Sequence, residues 1–233
     1  LSGPIFEDFI TILSPQGKEV KKVSLLKSFL NSDYRSVLIN MDIEKYEGDV
    51  FHTNTVKVLD GRVADKVPMF KKEHVLISMR SLHTIAVVDL DKEKVTWALS
   101  GMWKAQHEPT VLENGNLLLF DNLGNHGKSK VIEFNPLTQD IVWAYRGDSI
   151  NNFYTLSCGL NQRLPNGNTL ITESESGRAF EVTPENEIVW EFFNPHRPNA
   201  NTPVSEGSCI ATLFKLIRID PDQLSFLNEL SHD

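Results

Sequence analysis

Ile85-Ala-Val-Val-Asp-Leu-Asp-Lys-Glu-Lys-Val-Thr-Trp97, Val131-Ile-Glu-Phe-Asn-Pro-Leu-Thr-Gln-Asp-Ile-Val-Trp143 and the shorter Phe180-Glu-Val-Thr-Pro-Glu-Asn-Glu-Ile-Val-Trp190 align on one another, and their tryptophans stand 46 and 47 residues apart. Self-similarity at a fixed period marks a repeat architecture, so these stretches decide the fold before any local assignment. Each copy reads as two short apolar runs around a polar turn, which is a hairpin. A second hairpin precedes two of them: Val111-Leu-Glu-Asn-Gly-Asn-Leu-Leu-Leu-Phe120 and Arg163-Leu-Pro-Asn-Gly-Asn-Thr-Leu-Ile-Thr172. Their Asn-Gly pairs supply the positive φ angles of a tight hairpin turn. Val56-Lys-Val-Leu-Asp-Gly61, answered by Val75-Leu-Ile-Ser78, is the same unit with a longer loop.

Four strands in a unit of about 46 residues match the blade of a β-propeller. The expected fold is all-β, a propeller of four-stranded antiparallel blades, with Trp97, Trp143 and Trp190 at equivalent outer positions. A β-sandwich with accidental internal similarity is the competing architecture. Within a single propeller domain spanning 1–233, complete blades are predicted at about 50–100, 101–147 and 148–195. A partial blade is expected over 1–32, where Ile5 to Lys22 reads as an outer hairpin, and another over 205–220. Leu25, Leu26, Phe29 and Leu30 at helical spacing behind Ser24 predict a short helix from Ser24 to Asn31. Closed propellers have about 4–8 blades, so an upstream segment or another chain is expected to complete the ring.

Composition narrows the partners. With 40% apolar and 23% charged side chains in 233 residues, the chain can bury a large core. Its net charge of −8 is spread along the sequence, so neither nucleic acid nor an anionic membrane is an expected partner. No apolar run approaches the ~20 residues that cross a bilayer, and Leu1 to Phe6 has no basic n-region or apolar h-region. Cys158 and Cys209 are too few for a disulfide framework, lack CxxC spacing and read as small buried thiols.

In a propeller the innermost strand of each blade lines the central channel, so polar residues on those strands are the candidates for chemistry. Phe51-His52-Thr53-Asn54-Thr55-Val56 reads as such a strand, and period-two alternation puts His52 and Asn54 on one face. Gln106-His107-Glu108-Pro109-Thr110-Val111 opens the next blade, and a shared His-x-x-Thr-Val aligns His107 with His52. Arg80, Asn122 and Ser174 fall at equivalent ends of the second strands. Arg80 follows an apolar run, where an unpaired charge is costly, so an anionic ligand or a structural carboxylate must answer it. His-x-Asn, Arg and a second His suit a tetrahedral oxyanion, with one neutral imidazole as nucleophile and the others as donors. Each of these residues taken alone also reads as structural: a strand histidine satisfied by its neighbours, an arginine paired across blades. Asn122 and His83, the latter at the rim, are candidate substrate contacts. His74, His126 and His196 fall in turns or at strand ends and read as structural. Asp121-Asn122-Leu-Gly-Asn125 is acidic and turn-rich but lacks the spacing of a calcium loop, so no metal is expected.

At these positions the sequence resembles the arylsulfate sulfotransferase (arylsulfotransferase) family, from about Gly3 to Ile219. Gly3-Pro-Ile-Phe-Glu-Asp8, His52-Thr-Asn-Thr55, Ser78-Met-Arg80, Gln106-His107, Leu119-Phe-Asp-Asn122 and Gln162-Arg-Leu-Pro-Asn-Gly-Asn-Thr-Leu-Ile-Thr-Glu-Ser174 carry the resemblance. It implies a six-bladed propeller without a cofactor that moves a sulfuryl group from an aryl sulfate to a phenol, with no nucleotide donor, through a sulfated histidine. By the same resemblance His107 is the nucleophile, and His52, Asn54 and Arg80 bind the sulfuryl oxygens. The family's bacterial enzymes use a further histidine, in a His-His-Asp stretch expected just before Leu1. Those enzymes are exported, which implies a periplasmic or secreted location. Two other classes compete: a non-catalytic propeller acting as a protein-interaction or structural subunit, and a quinone-cofactor propeller. The second lacks the aspartate and the cofactor-stacking residues that such a site needs.

Overall fold

The computed structural model describes residues 4–39, 48–197, 210–220 and 224, in two compact units that meet in sequence between Ser157 and Cys158. The first unit opens with a hairpin of β1 (Phe9–Leu13) and β2 (Glu19–Ser24). Ser24 then caps the expected helix, α1 (Leu25–Leu30), its Oγ accepting from the Lys27 N–H at 3.0 Å. Leu25 and Phe29 of this helix pack with Ile10, Val50, Phe51 and Ile77. A one-turn helix, α2 (Ser36–Ile39), follows.

Two four-stranded antiparallel sheets complete the first unit, each with its strands in chain order. One holds β3 (Thr53–Val58), β4 (Val75–Met79), β5 (Thr84–Asp89) and β6 (Lys94–Ser100), and the other β7 (His107–Val111), β8 (Leu117–Asn125), β9 (Lys128–Phe134) and β10 (Ile141–Tyr145). β4 and β5 are buried along their whole length, which is why Val75, Leu76, Ile77 and Met79 show no polar–apolar alternation. Leu76, Ile85 and Val87 of one sheet meet Leu117, Leu119 and Ile132 of the other in a single apolar cluster. The second unit contains one such sheet, β11 (Leu160–Arg163), β12 (Thr169–Glu173), β13 (Arg178–Val182) and β14 (Ile188–Phe193). These up-and-down four-stranded sheets are the blades of a β-propeller fold.

The tryptophan repeat is a repeat of register. Val88 pairs with Val95 and Val87 with Trp97, which leaves Thr96 as a bulge; Val142 and Val189 bulge in the same way before Trp143 and Trp190. Burial does not repeat with it. Trp97 is 7% exposed and stands edge-on to Phe70 of the β3–β4 connection, whereas Trp190 is 37% exposed and lies under Arg218. The short 164–168 turn of the second unit has no residue to do what Phe70 does.

That turn instead does something the sequence pattern did not disclose. Asn114 and Asn116 both donate to Glu133 Oε1, at 2.9 and 2.7 Å, and Asn166 and Asn168 both donate to Glu181 Oε1, at 3.2 and 2.7 Å. The glycines between them take φ of 92° and 89°, which closes each asparagine pair around one oxygen. Glu133 pairs in register with Leu118 and Glu181 with Leu170, while the residue opposite Leu76 in the first sheet is Val87. Where the Asn-Gly-Asn hairpin is replaced by a longer connection, the carboxylate is replaced by a valine.

Residues 210–220, expected to contribute to a further blade, form no strand, and 205–209 with Cys209 lie outside the described residues. Side chains take up the backbone groups that a ladder would use. Gln162 Oε1 accepts from the Arg218 N–H and its Nε2 donates to the Arg218 carbonyl, both at 2.9 Å, and Thr172 Oγ1 accepts from the Leu216 N–H at 3.3 Å.

The asparagine clamp predicts its own cost. Glu133→Leu takes from the exposed Asn114 and the half-buried Asn116 their shared acceptor and should lower the unfolding free energy by about 0.5–1.5 kcal/mol in urea titration; an unchanged midpoint would show that the clamp contributes nothing.

Candidate active site

His52 stands one residue ahead of β3 with φ of 51°, so the strand alternation that was expected to set it beside Asn54 does not reach it. Asn54 is the extra residue of a bulge, since Thr53 pairs with Met79 and Thr55 with Ser78. Such a bulge re-aims a side chain. Its Nδ2 donates to the Gln106 carbonyl at 2.8 Å, which ties β3 to the residue preceding His107. β7 carries a similar irregularity between His107 and Thr110, with Glu108 at φ of 49°.

These bulges correct the expected equivalence of the two histidines. His107 pairs with Phe120, whose counterpart Ser78 pairs with Thr55 and not with His52. The shared His-x-x-Thr-Val is a match of residue types that the pairing register does not follow. His52 is brought to the site by other means: its carbonyl accepts from the Arg80 N–H at 3.1 Å, while Asp49 holds its backbone N–H at 2.8 Å and its ring Nδ1 at 2.7 Å.

Gln106 positions His107, and sequence reasoning noted it only as a motif letter. Its wholly buried amide reaches Ser78 Oγ, the Met79 carbonyl and the Thr84 carbonyl at 3.1, 3.1 and 3.0 Å. A polar residue directly ahead of a strand was the available signal. His107 Nδ1 then lies 2.8 Å from Asn122 Oδ1 and 3.1 Å from the Ala105 carbonyl. Asn122, expected as a substrate contact, is fully buried, and its Nδ2 donates to the Thr155 carbonyl at 3.0 Å. That bond fixes the amide with Oδ1 toward His107. Two acceptors facing Nδ1 place the ring proton there and leave the Nε2 lone pair available.

Arg80 is half-buried at the end of β4, with its Nη2 3.4 Å from the Leu156 carbonyl and its buried Nε without a hydrogen-bond partner. Among the described residues no carboxylate pairs with it, so the anionic ligand expected for it stays in play. His83 serves the scaffold: its Nδ1 lies 2.9 Å from the Arg80 carbonyl and 3.1 Å from the Ala105 N–H, and its carbonyl accepts from Trp103 Nε1 at 2.8 Å. Asp121 is likewise structural, its Oδ1 accepting from the Lys104 and Gly124 N–H groups at 2.9 and 2.8 Å. Ser174, in the second unit, accepts from the Gly159 N–H at 2.9 Å.

Burial, followed by the positive charges of Arg80 and His52, holds the His107 pKa below its ordinary 6.5, while the bonds to Asn122 and Ala105 pull the other way. His107 is therefore neutral at pH 7. A cleft of about 370 Å³ lies at the far ends of β3 and β7, lined by Lys57, Val58, Phe70 and Val111 among others. None of His52, Asn54, Arg80 or His107 lines it.

The blades define a β-propeller, and its first unit brings a histidine–arginine cluster together. The arylsulfotransferase (ASST) family matches residues 2–195, and the chain belongs to that family. The Dos1 propeller shares the fold at 9% identity and a TM-score of 0.50, covering 82% of this chain and 43% of that one. A protein of unknown function from Bacteroides caccae is similar at 14% identity and a TM-score of 0.49, covering 80% of this chain and 54% of that one. Virginiamycin B lyase from Staphylococcus aureus is similar at 13% identity and a TM-score of 0.45, covering 80% and 49%. This chain thus spans about half of each of these structures. A search of the curated proteins finds no match.

The electrostatic assignment is testable by NMR titration of the histidine ring. His107 should titrate below 6.5, and Arg80→Leu should move its midpoint upward by removing one of the charges that oppose protonation. A midpoint unmoved by that substitution would separate the two residues.

Proposed function

We propose that this protein transfers a sulfuryl group from an aryl sulfate to a phenol, with His107 Nε2 as the nucleophile. One observation carries the reading: the two oxygens on His107 Nδ1 leave Nε2 as a lone pair on a buried, neutral imidazole beside an arginine that has no carboxylate partner among the described residues. In the first half-reaction Nε2 forms the N–S bond as the S–O bond to the aryl group breaks, and the bonding electrons leave with the phenolate. In the second a phenol oxygen attacks sulfur as it gives up its proton, the N–S bond breaks and its electrons return to Nε2, so that the proton lost by the acceptor balances the one taken up by the departed phenolate. Arg80, His52 and Asn54 donate to the negative charge that develops on oxygen. The reading uses neither a nucleotide nor a metal, and its partners are two small aromatic molecules.

A pulse of a chromogenic aryl sulfate followed by intact-mass spectrometry should show a sulfuryl adduct that disappears in His107→Ala. Arg80→Ala should slow adduct formation roughly 100-fold, the scale for losing one transition-state donor, and Arg80→Lys should not restore it, because an ammonium cannot reproduce the guanidinium fork. Protonation blocks Nε2, and the His107 pKa is depressed, so the acid limb of the first half-reaction should lie below pH 6.5. An adduct that survives His107→Ala removes that residue from its role. A folded wild-type chain that forms no adduct and turns over no donor makes the propeller a binding platform.

A further inference from the structure

Asp49, which the sequence pattern did not single out, grips His52 at two points. One carboxylate oxygen accepts the His52 backbone N–H at 2.8 Å and the other lies 2.7 Å from ring Nδ1. The backbone there takes φ of 51°, a conformation that is strained in a residue with a side chain and persists only where neighbours hold it. The neighbours are identifiable. The Arg80 N–H donates to the His52 carbonyl at 3.1 Å, the Ser81 N–H to the Phe51 carbonyl at 3.3 Å, and Ser81 Oγ to the Asp49 carbonyl at 3.2 Å. The turn bearing His52 is thereby fastened to the turn bearing Arg80.

The two imidazoles of the site are set up for different work. His107 Nδ1 faces two neutral oxygens, whereas His52 Nδ1 faces a carboxylate. A carboxylate can balance the charge of a ring that carries protons on both nitrogens, and an amide oxygen cannot. Two titratable groups in one site with contrasting surroundings mark an assignment of roles. His107 is also the more buried ring, while the His52 side chain is 48% exposed and open to a ligand.

We propose that His52, oriented by Asp49, is the proton carrier of the transfer. This rests on the reading of His107 as nucleophile. As the His107–sulfur bond forms and the S–O bond breaks, the departing aryl oxygen takes the proton from His52 Nε2. When an acceptor phenol attacks sulfur and the N–S bond breaks, the phenol proton returns to His52 Nε2, and both histidines regain their starting state. His52 touches the reacting oxygen; Asp49 is a positioning residue that acts through it. The need is chemical: an unactivated phenol has a pKa of about 10, so its anion is a poor leaving group near pH 7 without a proton donor.

The role predicts a dependence on the leaving group that mere support of the turn would not produce. In the full chain, single-turnover formation of the sulfuryl adduct is measured with phenyl sulfate and with 4-nitrophenyl sulfate, whose anion leaves readily unprotonated. Asp49→Asn and His52→Gln should each slow the reaction of phenyl sulfate by roughly 100-fold, within the range for a lost general acid, with a several-fold smaller loss for 4-nitrophenyl sulfate. A second measurement needs no variant: the wild type should show a solvent deuterium isotope effect with phenyl sulfate that is absent with the nitrophenyl donor. Equal losses with both donors, or equal isotope effects, would overturn the assignment while leaving the adduct and His107 intact. Absence of any wild-type adduct would overturn the nucleophile, and this role with it.

Discussion

Gln106 is where two sheets and one site are joined. Its entirely buried Nε2 lies within hydrogen-bond distance of Ser78 Oγ and the Met79 and Thr84 carbonyls, and its backbone carbonyl receives Asn54. A buried amide robbed of such partners costs about 1–3 kcal/mol, so the start of β7 cannot slide along β4 and β5 without breaking several bonds together. His107 follows Gln106 directly, and Arg80 follows Met79 directly. The bond network that aligns the sheets therefore also sets the distance between the imidazole and the guanidinium.

From that constraint the electrostatics follow. The Asn122 amide, locked by the Thr155 carbonyl, can present only its oxygen to His107, which decides which ring nitrogen is free. Burial and the nearby guanidinium keep that ring neutral. Arg80 in turn holds an unsatisfied buried Nε, a charged group in want of an anion. The proposed transfer uses this pairing of a neutral imidazole with an unanswered cation: the cation would attract a negatively charged electrophile and the lone pair would attack it.

The blades were legible because their signals are local. Asn-Gly turns, polar hairpin loops and the Val-x-Trp or Ile-x-Trp ends of the fourth strands each report on a few adjacent residues. Even the helix cap at Ser24 could be read that way. The site was legible in part. Residue types named His52, Asn54, Arg80 and His107, but strand alternation misplaced His52, since a positive φ and two bulges interrupt the period. Asp49 and Gln106 stayed hidden for a related reason: what they do depends on which backbone groups lie opposite them, and a sequence shows no such partner. Glu133 and Glu181 were hidden in the same way, each reading as a polar residue in a strand until the asparagines fold back onto it.

The arrangement stands or falls on which nitrogen of His107 carries the proton. Long-range ¹H–¹⁵N correlation spectra of the folded chain at neutral pH report this directly from the two ring nitrogen shifts. The Asn122 and Ala105 oxygens require the Nδ1–H tautomer, with Nε2 showing the shift of an unprotonated nitrogen. A His107 ring protonated at Nε2 would contradict the account, because it would leave no lone pair to meet the sulfur.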